Sequence, residues 1–189
     1  MKDDTLNSSN FLNILIVDDI GDNLKLLDEI LRPEGYKTRL VPNGPLAIKA
    51  AEKEKPDLIL LDIMMPEMDG FEVCRSLKEN PALKDIPIIF ISASGDTNDI
   101  VTALNIGGVD YINKPFQAED VKARVLTHLK LCRQNIELRE LNATKNKFFS
   151  IIAHDLRSPF NGFLGLTRLM VEDLESLSGE DIKELSLSM

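Results

Sequence analysis

The chain has 189 residues, 43% hydrophobic and 28% charged, enough for one full domain with an appendage or for two small ones. Its net charge of −9, from 22 basic and 31 acidic residues, argues against nonspecific nucleic-acid binding, which needs a basic face to displace counterions. Cys74 and Cys132 form neither a CxxC pair nor a zinc spacing, so they read as reduced thiols in a chain long enough to fold without metal or disulfide.

Residues 1–10 are polar and acidic, unlike the basic start and apolar core of a signal peptide, and residues 1–11 are expected to form a disordered tail. Apolar stretches such as Ile59–Leu61 and Ile86–Ile91 stop far short of the ~20 residues of a membrane span. A cytoplasmic protein without direct membrane insertion is expected. From Asn13 to about Gln117, short β-branched runs alternate with amphipathic stretches. Ile14–Val17, Thr38–Val41, Leu58–Leu61, Ile86–Ile91 and Val109–Ile112 read as strands, nearly continuously apolar as in a sheet covered on both faces. Between them Asp22–Leu31, Leu46–Lys53, Phe71–Lys78 and Asn98–Ile106 read as helices. Pro33, Gly35, Asn43-Gly44, Pro56, Asn80-Pro81 and Gly107-Gly108 mark boundaries. The alternation predicts an α/β fold: a parallel sheet with right-handed crossovers and helices on both faces.

After Pro115 the texture changes. From Ala118 to about Leu156 there is no glycine or proline, which predicts a long C-terminal α-helical extension. Val125, Leu129, Cys132, Ile136 and Ala143 fall on a four-three seam, interrupted by Arg139, that suits pairing of two chains through this helix. The first half of that seam equally suits the core-facing stripe of the α/β domain's last helix. Near the end, Ser178 with Asp181 three residues on looks like an N-cap opening a short helix over Asp181–Met189.

The chemistry gathers at the strand ends. In an open parallel sheet functional groups collect beyond the carboxyl ends of the strands. There the first strand ends in Asp18-Asp19, the third in Asp62, the fourth in Ser92-Ala93, and the fifth leads into Lys114-Pro115. Three nearby carboxylates repel one another unless a cation compensates, and oxygen-only ligands favour a hard ion such as Mg2+. Such an ion, with the Lys114 ammonium and the Ser92 hydroxyl, suits an incoming phosphoryl group, and an aspartate can attack phosphorus to form an acyl phosphate.

The segments Ile14–Asp19, Leu60–Gly70, Ile91–Ala93 and Tyr111–Phe116 resemble, in order and spacing from Leu12 to Leu131, the receiver family of response regulators. The resemblance implies a flavodoxin-like five-stranded sheet; the strand order of a chemotaxis receiver is itself a standard illustration of that fold. It implies Asp62 as phosphoacceptor and Asp18, Asp19, Asp62 and the Met64 backbone carbonyl as Mg2+ ligands. Lys114 and Ser92 then contact the phosphoryl group, and Ser92 with Tyr111 forms the switch pair. It further implies a cis Lys114–Pro115 peptide and a loop shaped by Pro66 and Gly70. Met64 and Ser94 lie where side chains near the attacking water tune self-hydrolysis; neither is acidic or amide-bearing, so a long-lived aspartyl phosphate is expected.

Of the two histidines, His128 reads as a surface or helix contact within a basic stretch. His154 lies beside an apolar face of Phe148, Ile151, Ile152 and Leu156, with Asp155 next to it to orient or deprotonate the imidazole. Pro159 would kink the helix one turn later. His154-Asp155-Leu156-Arg157-Ser158-Pro159 resembles the phosphoacceptor box in the dimerising helical domain of sensor histidine kinases, which implies His154 as a second phosphoacceptor. The expected organisation is therefore a tail at 1–11, a receiver at 12–131, a helical linker at 132–147 and incomplete phosphoacceptor and dimerisation helices at 148–189. The chain reads as the front of a hybrid sensor histidine kinase. No glycine-rich nucleotide segment follows, so the chain itself is not expected to bind ATP or to autophosphorylate.

The expected function is phosphorelay signalling, with a histidine kinase or phosphotransfer protein as partner, a homodimer through the C-terminal helix, and no nucleic acid. A metal-dependent phosphohydrolase of the haloacid-dehalogenase kind would need an aspartate two residues after Asp62, where Met64 stands. A transcription factor would need a helix-turn-helix or a basic output segment. A purely structural coiled-coil adaptor would leave the acidic pocket without a role.

Overall fold

The computed structural model describes residues 11–93 and 97–176; within the last helix the side chains of His154 and Asp155 also lie outside the described residues. The expected tail up to Asn10, Ser94 and the expected cap at Ser178 fall outside them too.

Five parallel strands form one sheet in the order β2-β1-β3-β4-β5: β1 Asn13–Val17, β2 Lys37–Val41, β3 Leu58–Asp62, β4 Ile88–Ser92 and β5 Asp110–Asn113. Between them run α1 Gly21–Leu31, α2 Gly44–Lys53, α3 Gly70–Glu79 and α4 Thr97–Asn105, with a short 3-10 turn at Arg32–Glu34. The order places β1 and β3 side by side, with Ile16 paired to Leu60 and Val17 to Leu61, so the acidic ends of both strands meet.

Successive side chains of a strand point to opposite faces, and two cores follow. Leu15, Val17, Ile59, Leu61 and Phe90 pack with Ala47, Val73, Leu77 and Ala103. Ile14, Ile16, Leu60, Ile89 and Ile91 pack with Leu27, Leu31, Val121, Val125 and Leu129. Each buried Val, Leu, Ile or Phe among them contributes about 1.5–3 kcal/mol, and this double-sided burial holds the strand ends in place.

Continuous burial holds for β1, β3 and β4 and fails at the sheet edges. In β2 only Val41 is buried, and in β5 only Ile112. The half-buried Arg39 instead ties β2 down, donating to Asn13 Oδ1 (3.0 Å) and to the carbonyls of Ala50 (2.9 Å) and Glu54 (2.6 Å).

Local signals set the helix starts. Asn43 caps α2 by accepting from the Leu46 N–H at 3.0 Å, and Asp69 and Glu72 form a reciprocal capping box at α3. The last helix, α5, spans Ala118–Ser176 and includes Pro159, the position of the expected kink. A proline removes one backbone donor, and here that loss does not end the helix.

The chain divides into two units between Gln134 and Asn135. In the first, Val125 and Leu129 belong to the core on one face of the sheet, so the first half of the four-three seam is a core stripe and is not available for pairing. In the second, Ile136, Leu138, Leu141, Phe148, Phe149 and Ile151 are exposed. Among the described residues no helix is long and apolar enough to cross a membrane.

Candidate functional site

The carboxyl ends of β1, β3, β4 and β5 converge on one edge. Asp62 is the last residue of β3 and is paired in register with Ile91 of β4, while Ser92 is paired with Asn113 at the end of β5. The Ile63 N–H donates to the Ile91 carbonyl at 3.0 Å and the Lys114 N–H to the Ser92 carbonyl at 2.8 Å, so the ladder continues one residue past the strands. Asp18, directly after β1, and Asp62 are buried, while Asp19 is exposed; one carboxylate oxygen from each of the three lies within 4.8 Å of the others.

Lys114 closes this edge. Its Nζ donates to Asp18 Oδ2 at 2.8 Å and to Asp62 Oδ2 at 2.9 Å, and the Lys114–Pro115 peptide is cis as expected. Burial pushes the Asp62 carboxyl above the ordinary aspartate range. The Lys114 hydrogen bond opposes this, the Asp18 charge reinforces it, and the Met64 backbone N–H opposes it again. Burial works against the Lys114 charge, but its bonds to Asp18 and Asp62 outweigh that and raise its pKa.

The loop after β3 is built tightly around the Asp62 main chain. A Cβ on Gly70 would lie 2.3 Å from the Asp62 carbonyl oxygen, so only glycine fits. The Gly70 N–H donates to the Ile63 carbonyl at 2.9 Å, the Met68 N–H to the Pro66 carbonyl at 2.8 Å, and Glu67 adopts a left-handed φ of 67°. Met64 projects its side chain outward, 71% exposed, beside the pocket.

Ser92 is buried at the end of β4. Tyr111, half-buried in β5, packs against the core that contains Phe90, and the Arg124 guanidinium sits over its ring at 5.7 Å. The structure thus brings together Asp18, Asp19, Asp62, Ser92 and Lys114, with Tyr111 on the adjoining strand. His154 and Asp155 lie in α5, and their side chains are outside the described residues.

Two groups escaped the sequence reading. Asn23, in the first turn of α1, donates to both oxygens of Asp18 at 3.0 Å; an amide five residues after the aspartate was the available signal. Asp110 at the start of β5 accepts from the Tyr111 N–H (2.8 Å) and from Arg124 (2.7 Å), and it meets His128 Nε2 at 3.0 Å. His128 therefore joins α5 to the sheet rather than lying free on the surface.

The oxygen-only donor set fits Mg2+, which accepts a few carboxylates and retains waters. The fold and this acidic edge define a receiver, and the chain belongs to that family: the response regulator receiver domain model matches residues 14–126. It is therefore a receiver of two-component signalling. Such domains generally bind Mg2+ at an acidic pocket and interact with histidine kinases or phosphotransfer proteins.

Among its relatives, the response regulator PleD of Caulobacter vibrioides is 40% identical over 134 residues, 70% of this chain and 30% of PleD. The DNA-binding response regulator MtrA of Mycolicibacterium paratuberculosis is 37% identical over 141 residues, 75% of this chain and 60% of MtrA. The chain thus spans less than two thirds of the length of either protein. The signal receiver domain of a signal transduction histidine kinase from Syntrophus aciditrophicus superposes with a TM-score of 0.58 at 39% identity, covering 62% of this chain and 89% of that one.

Proposed function

We propose that this chain takes a phosphoryl group from a phosphohistidine onto the carboxylate of Asp62. The observation that carries the proposal is the Lys114 ammonium bridging Asp18 and Asp62 at an edge where a third carboxylate converges. Asp18, Asp19, Asp62 and the Met64 backbone carbonyl would hold Mg2+. When bound, the ion offsets the negative charge of the cluster and of the incoming phosphoryl oxygens. An Asp62 oxygen attacks phosphorus as the P–N bond to the donor imidazole breaks, and the freed imidazole takes up a proton. Lys114 is already aimed at the site and donates to a phosphoryl oxygen, and the Ser92 hydroxyl serves another. Tyr111 follows Ser92 as the second member of the switch pair.

Transfer from a phosphorylated histidine-phosphotransfer protein tests this directly. Loss of label from the donor with gain on this chain, absent in Asp62→Asn, is expected; a donor that keeps its label in the presence of Mg2+ overturns the proposal.

The proposal extends to the C-terminal part. The segment from His154 to Pro159 is read as the phosphoacceptor box of a hybrid sensor histidine kinase, with Asp155 orienting the imidazole. The receiver would occupy 12–131, the linker 132–147 and the histidine helices 148–189. The motif itself, the helical course of α5 through it and the likeness to a receiver taken from a histidine kinase support this reading. The exposed apolar residues from Ile136 to Leu156 support homodimerisation through this helix, and the charge of −9 supports a chain that does not engage nucleic acid. Phosphorylation of Asp62 would bias that helix pairing. Sedimentation with and without phosphoryl label reads the coupling, and identical oligomer distributions would exclude it.

A further inference from the structure

Asp18 is fully buried, yet its carboxylate is not held by its metal-site neighbours alone. The Ile20 N–H donates to Oδ1 at 2.8 Å, Lys114 to Oδ2 at 2.8 Å, and the Asn23 amide to both oxygens at 3.0 Å. Asn23 reaches back from the first turn of α1, a helix whose N-cap, Ile20, offers no side-chain acceptor. We infer that Asn23 is a positioning residue for the cation site: its amide fixes the plane of the Asp18 carboxylate and so sets the Mg2+ affinity of the pocket. This rests on the reading of Asp18, Asp19 and Asp62 as the cation site.

The residue type suits the task. A neutral amide donates without adding a fourth negative charge beside Asp18, Asp19 and Asp62, and without placing a second cation beside Lys114 to repel the metal. A bond to both oxygens restrains rotation about the Cβ–Cγ bond of Asp18, which a single bond would leave freer. Groups that orient a metal ligand without touching the metal typically change affinity by about 10–100-fold when removed.

Calorimetric titration of the full chain with Mg2+ alone tests the inference, comparing wild type, Asn23→Ala and Lys25→Ala. Lys25 lies two residues further along α1, exposed and, among the described residues, paired with Asp22, so it reports on the helix and not on the pocket. Asn23→Ala is expected to weaken Mg2+ binding by about tenfold or more. Half-maximal labelling of Asn23→Ala by acetyl phosphate should need correspondingly more Mg2+, whereas Lys25→Ala should match wild type in both assays. Equal Mg2+ affinity in Asn23→Ala and wild type would overturn the inference, and so would equal weakening in Lys25→Ala. Failure of wild type itself to bind Mg2+ would overturn the reading of the site on which the inference rests.

Discussion

Lys114 Nζ lies 2.9 Å from Asp62 Oδ2, joining residues 52 positions apart across the ends of β5 and β3. The contact makes Lys114 both a structural counter-ion and the group placed to receive phosphoryl charge. Lys114→Ala should slow labelling of Asp62 by acetyl phosphate about a hundredfold, as removal of a preorganised charge-stabilising donor does. In metal-free buffer it should also cost roughly 1–3 kcal/mol, because Asp18 and Asp62 lose a buried partner. Urea unfolding in EDTA reads the second effect; an unchanged labelling rate would refute the first.

Asp62 supplies a pH prediction whose sign follows from its raised pKa, caused first by burial. A carboxyl that holds its proton longer folded than unfolded makes stability fall as pH rises from the unfolded value of about 3.9 through the folded one. Ionised Asp62 therefore opposes folding at neutral pH in the metal-free protein. Asp62→Asn should raise the urea midpoint at neutral pH in EDTA, and the gain should shrink as pH is lowered toward about 4. A gain independent of pH would contradict this assignment.

Gly70 tests the loop beneath the acceptor. The Cβ of Gly70→Ala would meet the Asp62 carbonyl oxygen at 2.3 Å, and backbone cannot yield as a flexible side chain does. A cost of about 1–3 kcal/mol is expected, with slower labelling as the Asp62 main chain shifts. Gly21→Ala, which meets nothing within 4 Å, is the matched control.

Much of this was legible in the sequence because the strand ends carry it. Runs such as Ile14–Val17 and Leu58–Leu61 can only be buried strands between helices, and their last positions place Asp18 and Asp62 on one edge whatever the loop details. The cis Lys114–Pro115 peptide and the Gly70 turn followed from the family resemblance. The edge strands were harder, since the half-buried Arg39 satisfies its guanidinium through Ala50 and Glu54, partners 11 and 15 residues away that no local pattern reveals. The seam on α5 was ambiguous for a similar reason: Val125 and Leu129 have the spacing of a coiled coil, and only the packed sheet shows that they face Ile89 and Ile91's core. Asn23 was missed because an amide in a helix's first turn normally reads as capping chemistry.

Asp110 provides a second, opposite pH signature. Burial works against its charge, but the Tyr111 N–H, His128 and Arg124 overcome that and lower its pKa. Such a group contributes stability above the unfolded value of about 3.9, and this is lost as pH falls through the folded pKa. Asp110→Asn should cost roughly 1–3 kcal/mol at neutral pH and progressively less below about pH 4. Equal stability of the two proteins at neutral pH would show that the β5–α5 link is immaterial.

The side chain beside the pocket sets one kinetic expectation. Met64 is exposed and carries no group to orient a water, so the aspartyl phosphate should persist for minutes or longer with Mg2+ present. Decay within seconds, followed by phosphate release, would overturn that expectation.

Intact-mass analysis with site mapping after acetyl phosphate treatment tests the central claim most directly. The account predicts one base-labile phosphoryl group on Asp62 that requires Mg2+ and is absent from Asp62→Asn. No incorporation by a folded protein that binds Mg2+, or incorporation that survives Asp62→Asn unchanged, would contradict it.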